Sequence, residues 1–124
     1  MKVFLSPIAE RKIELLLEFI ETEWSKNAKD KFLEKFKKSV KTVSNQPKSF
    51  PVSKSMKGLF KCVVSKQTSF YYRIINNEIE IITLIDNRQN PIEILKEMKS
   101  YFERNFYLNI LFFLLLLIFP ILSF

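Results

Sequence analysis

A chain of 124 residues and 14.8 kDa holds one domain, or one small domain with an appendage, and is too short for a multi-domain or barrel enzyme. One cysteine and no histidine exclude zinc fingers, histidine-dependent nucleophilic catalysis and an intrachain disulfide, and fit a reducing cytoplasm; a single glycine excludes a glycine-rich phosphate loop. The formal charge of +7 is unevenly spread: residues 26–66 carry 12 basic and 2 acidic groups, and nothing after Arg104 is charged, which points to an anionic partner for the basic stretch.

In chain order, Lys2 to Leu5 reads as a short strand. Ser6-Pro7 opens a helix, because serine caps well and proline suits the first helical position. Its apolar stripe is Ile13, Leu16, Leu17, Ile20 and Trp24, opposite an acidic face of Glu10, Glu14, Glu18 and Glu21. The first apolar run is too short for a secretion signal. Ser25 or Asn27 caps a second helix with the stripe Ala28, Phe32, Phe36, Val40 and Val43. Its outer face is lysine: Lys29, Lys35, Lys37, Lys38 and Lys41. The two helices read as an antiparallel hairpin that needs a sheet to bury its stripes.

Pro47 and Pro51 mark a loop. Three antiparallel strands follow near 58–65, 69–75 and 79–86, with turns near 66–68 and at Asn76-Asn77, where asparagine tolerates positive φ. Alternation puts Phe60, Cys62, Val64, Phe70, Tyr72, Ile74, Ile79, Ile81, Thr83 and Ile85 on the face toward the helices. Lys61, Val63, Tyr71, Arg73, Ile75, Glu80, Ile82, Leu84 and Asp86 fall on the other face. A three-residue turn at 66–68 and a two-residue turn at 76–77 predict a row Lys61–Arg73–Glu80 across that face. Cys62 reads as core filler. Pro91 opens a last helix near 91–103, with Ile92, Leu95, Met98, Lys99 and Phe102 at helical spacing.

Residues 106–124 carry no charge and, at about 1.5 Å per residue, would just span a bilayer core. With Lys96, Lys99 and Arg104 before it, such a tail would anchor to the inner membrane and leave the domain in the cytoplasm. The alternatives are a read-through end from an AT-rich gene or a packed helix. The expected division is therefore a domain over 1–104 and a hydrophobic tail over 105–124.

The order β-α-α-β-β-β with a C-terminal helix resembles the RelE/ParE superfamily of type II toxin–antitoxin toxins. The stretches that carry the resemblance are Ser6-Pro7-Ile8-Ala9, then Lys57 to Lys66 with Phe70-Tyr71-Tyr72-Arg73-Ile74, and Ile79 to Pro91 with its Asp-Asn-Arg-Gln-Asn-Pro ending. The Tyr-Arg-Ile strand and that ending look like the ParE-like, plasmid-stabilisation branch. The resemblance implies an α+β fold of two layers, a helix hairpin on a mainly antiparallel sheet, with no cofactor and no metal. It implies growth inhibition, by poisoning DNA gyrase in the ParE-like branch or by cutting ribosome-bound mRNA in the RelE-like branch, and neutralisation by a cognate antitoxin. A membrane-tethered basic binding module is a third reading. For the nuclease reading the resemblance offers Lys61, Arg73, Arg88 and Tyr101 as catalytic candidates. The same reading expects a second Lys where Val63 stands and an Arg where Ser69 stands. For target or antitoxin binding it offers Lys57, Lys61, Tyr71, Arg73 and Arg88.

Overall fold

The computed structural model describes residues 1–54, 58–90, 92–94, 96–100, 103 and 114. Strand β1 (Lys2–Leu5) leads into helix α1 (Pro7–Glu23), helix α2 (Lys26–Asn45) and strands β2 (Phe60–Val63), β3 (Thr68–Ile75) and β4 (Glu78–Asp86). The sheet order is β1-β4-β3-β2, with β1 parallel to β4 and the other pairs antiparallel. The architecture is the α+β one that the sequence predicts.

Ser6 joins the two halves of the layer arrangement. Its hydroxyl accepts from the Ala9 amide at 3.0 Å, capping α1, and donates to the Ile82 carbonyl at 2.6 Å. Its own amide donates to the Ile81 carbonyl. Lys12 Nζ adds a bond to the Leu84 carbonyl at 3.2 Å. Beyond the end of β1, the edge carbonyls of β4 are thus satisfied by the start of α1. Ser6→Ala removes the cap and strands the Ile82 carbonyl, each worth about 1 kcal/mol. A loss of about 2 kcal/mol in urea unfolding is expected.

Ser25, not Asn27, caps α2, accepting from the Ala28 amide at 3.0 Å. Ala9, Ile13, Phe36 and Val43 lie in one core with Cys62, Phe70, Tyr72, Ile79, Ile81 and Leu84, and Leu16, Leu17, Phe32, Val40, Phe60 and Ile74 pack against it. The helix hairpin therefore covers the predicted face. Trp24 departs from its predicted stripe: it ends α1 and is 76% exposed. Lys29 departs from the solvated lysine face, reaching Glu21 Oε2 on α1 at 2.8 Å. That bond, with the lysine's charge, holds the Glu21 carboxyl below its ordinary pKa and the Lys29 ammonium above its own.

Two register details differ from the predicted sheet. The β2–β3 connection is four residues, 64–67, so Lys61 pairs with Tyr71 and not with Arg73. A β-bulge sits where Tyr71 pairs with Thr83 and Tyr72 with Ile81, leaving Ile82 as the extra residue. The bulge reverses the face parity of the end of β4. Leu84 pairs with Phe70 and joins the helix-side core, while Thr83 and Ile85 pair with Tyr71 and Ser69 on the opposite face. The Asn76-Asn77 turn is as expected, with φ of 52° and 59°.

Residues from Asn90 onward form a separate unit. Asn90 starts its helix: the side-chain oxygen accepts from the Ile92 amide at 2.9 Å. Ile94 and Met98 are buried there, whereas Ile92, predicted on the stripe, is 60% exposed. Pro91, Leu95, Phe102 and, apart from Leu114, the apolar segment 106–124 lie outside the described residues. Among the described residues, no helix is long and apolar enough to cross a membrane.

Candidate functional site

The predicted site residues separate into a sheet face and a corner at the end of β4. On the sheet face, Lys61 lies opposite Tyr71, and Tyr71 opposite Thr83. Arg73, two positions further along β3, lies opposite Glu80. Its Nε donates to Glu80 Oε1 at 2.7 Å, and the two side chains are 29% and 10% exposed. Arg73 is therefore engaged in a largely buried cross-strand pair, and the Lys61–Arg73–Glu80 row does not form. Burial raises the pKa of the half-buried Tyr71, which keeps it a neutral phenol. Lys57 and Tyr101 lie outside the described residues.

At the corner, Arg88 closes a bidentate clasp on Asp86, Nε to Oδ1 at 3.0 Å and Nη2 to Oδ2 at 2.8 Å. The Arg88 amide also donates to Oδ1, at 2.9 Å. The guanidinium bond, then the amide bond, lower the Asp86 pKa to about 2. Because the folded pKa is depressed, the clasp is complete above the ordinary carboxylate pKa and is lost only as pH falls through about 2. A carboxyl carbon titration by NMR should place Asp86 near that value, and Arg88→Ala should return it toward about 4.

Asn87, which the sequence reading leaves without a role, locks the same corner. It accepts from the Ser69 hydroxyl at 2.6 Å and donates to the Ser65 and Lys66 carbonyls at 3.3 and 3.0 Å. Ser69, standing where the nuclease reading expects an arginine, is fully buried. Val63, standing where it expects a second lysine, is 60% exposed on β2.

Arg88 also borders a cleft of about 360 Å³, walled by α1 and α2 residues including Lys12, Phe19, Trp24 and Phe32, and by the end of β4. Phe19 and Trp24 are 57% and 76% exposed. The sequence signal for them was faint: Phe19 falls off the buried stripe, and Trp24 stands in the last turn before the Ser25 cap. A second cleft of about 480 Å³ between β1 and α2 is lined by Val3, Phe36, Val40 and Ile81, with Glu10 and Lys37 at its rim. Among the described residues there is no cluster suited to a metal ion. Cys62 is buried, and burial raises its thiol pKa, so it is a packing residue and not a nucleophile.

The family profile described as the ParE toxin of the type II toxin–antitoxin system, parDE, matches residues 3–91. The chain belongs to the ParE toxin family. The matched region takes in the helix hairpin, all of the sheet but Lys2, and the Asp86–Arg88 corner of this ParE-family toxin. Its fold is similar to that of the chromosomal ParDE toxin–antitoxin system from P. aeruginosa, at a TM-score of 0.61 and 12% identity over 69% of this chain and 95% of that one. It is also similar to the YoeB/ParE toxin from Agrobacterium tumefaciens, at a TM-score of 0.53 and 16% identity over 70% and 99% of the two chains. No curated protein sequence matches the chain.

Proposed function

We propose that this ParE-family toxin arrests growth by acting on DNA gyrase and not by cutting mRNA, and that a cognate antitoxin neutralises it. The observation that carries the reading is Ser69. A ribonuclease without histidine needs several basic groups converging on one phosphate, to stabilise developing charge and help activate the 2′-hydroxyl. Here the position expected to supply an arginine is a buried serine bonded to Asn87. Arg73 is held by Glu80, and Val63 supplies no charge beside Lys61. The cleft with exposed Phe19 and Trp24, beside an arginine, has the residue types that dominate protein–protein contacts. It suits a protein target or an antitoxin better than it suits phosphoryl transfer.

The test sets the purified toxin against DNA gyrase in a supercoiling assay, and against ribosomes loaded with mRNA. Supercoiling should stop while the mRNA stays intact. Cleavage of ribosome-bound mRNA with supercoiling unaffected would replace this reading with the nuclease one.

A further inference from the structure

Residues 35–77 contain ten Lys or Arg residues and no Asp or Glu. Several of these cations stand on the solvent side of α2, flanking it toward both edges of the sheet. Lys35, Lys37, Lys38 and Lys41 are exposed on the C-terminal half of α2, and Lys48 is exposed on the loop that follows. A groove of about 230 Å³ places Lys38, Ser39 and Thr42 beside Phe50, Cys62 and Val63, so the helix and the β2 edge form a continuous surface. Among the described residues, none of the four α2 lysines makes an ion pair, in contrast to Lys29 on the same helix.

We propose that this lysine-rich face of α2, on which the exposed Glu34 is outnumbered four to one, binds the phosphate backbone of a nucleic-acid duplex without reading its sequence. The character of the face selects that partner. No residue of α2 is among the exposed large hydrophobic side chains, so the helix itself offers no aromatic anchor of the kind a protein interface is built around, and the exposed apolar neighbour at the β2 edge is the small Val63. Its cations are all lysines, which act as point charges on phosphate and do not offer the planar fork that arginine presents to a base edge or a carboxylate. Lys35 to Lys41 covers about 9 Å of helix. A duplex carries a charge about every 1.7 Å of its axis, so flexible lysine side chains find phosphates in any register. This inference stands apart from the gyrase reading, since it concerns the lysines of the C-terminal half of α2 and not the cleft at Trp24 and Arg88, and either can fail alone.

The probe is a fluorescently labelled 20-base-pair duplex, as DNA and as RNA of the same sequence, titrated with the full-length chain in nonionic detergent between 50 and 200 mM NaCl. Binding to either duplex should weaken linearly on a log–log plot, with each neutralised phosphate adding about 0.9 to the slope. Replacing Lys35, Lys37, Lys38 and Lys41 together by glutamine should reduce the slope by about 3–4 and weaken binding at least about 100-fold at 100 mM salt, with the melting temperature unchanged. Replacing Lys2 and Lys26 by glutamine should leave most of the affinity. Three results would overturn the proposal. One is no binding to either duplex at 50 mM salt. Another is equal loss per charge in the two variants, which would mean attraction by net charge alone. The third is displacement of the duplex by polyglutamate at equal charge concentration, which would assign the face to an acidic protein.

Discussion

Tyr72→Ala is expected to remove about 3–5 kcal/mol of stability, enough to unfold much of the protein given that domains of this size hold only about 5–15 kcal/mol. Tyr72 is fully buried at the middle of β3. Its ring stacks on Phe60 at 5.2 Å and meets Phe70 and Phe50 at 6.0 and 6.1 Å. Phe70 in turn meets Phe36 of α2 at 5.9 Å, so this one ring links the sheet, the loop after α2 and the helix hairpin. The hydroxyl donates to the Pro47 carbonyl at 2.6 Å, tying down the loop. Burial pushes its pKa up, so it remains a neutral donor at pH 7. Tyr72→Phe separates the two contributions: the ring contacts persist, the Pro47 carbonyl loses its donor, and a cost of about 1 kcal/mol is expected. Urea unfolding of the two variants at pH 7 checks both values. Near-equal losses would show that the hydroxyl, and not the aromatic cluster, holds this region.

The helices of this fold are legible in the sequence because their signals are local. Ser6-Pro7 and Ser25 are caps that work through bonds to residues three positions away, and the Phe32, Phe36, Val40, Val43 stripe needs only the helical period. The Asn76-Asn77 turn is legible for the same reason, since the positive φ it needs is a property of the residue itself. The sheet details are not local. No residue type at Ile82 announces a bulge, because a bulge is an agreement between two strands and not a preference of one. The chain can insert it without breaking the apolar alternation, since residues 81–85 are apolar on both sides of the insertion apart from Thr83. The four-residue connection at 64–67 is likewise set by the Ser69–Asn87 and Asn87–Ser65 bonds, which join residues 18 and 22 positions apart. That corner also explains why the site was only partly legible. Arg88 is visible in the Asp-Asn-Arg-Gln-Asn-Pro ending and its clasp on Asp86 is a local bond two positions back, but the exposed Phe19 and Trp24 come beside it only when α1 meets the end of β4.

Arg73 is the residue for which a structural and a functional role are most easily confused, and a double-mutant cycle with Glu80 separates them. Arg73→Ala leaves Glu80, itself only 8% exposed, without the cation that faces it across the strands. Breaking a buried pair from one side costs about 3–5 kcal/mol; with Arg73 29% exposed, solvent screening reduces the expected loss to about 2 kcal/mol. Growth arrest by the single variant should then fall because less of the toxin is folded. Replacing both partners by apolar residues of similar volume, Arg73→Met with Glu80→Leu, removes the buried carboxylate together with the pair. The double variant is expected to unfold within about 1 kcal/mol of the natural chain and to regain most of the growth arrest. Arg73 would then be a sheet residue, and contact with the target would rest on groups elsewhere, such as those around the Arg88 cleft. A double variant that melts like the natural chain yet leaves growth untouched would place Arg73 or Glu80 in direct contact with the target.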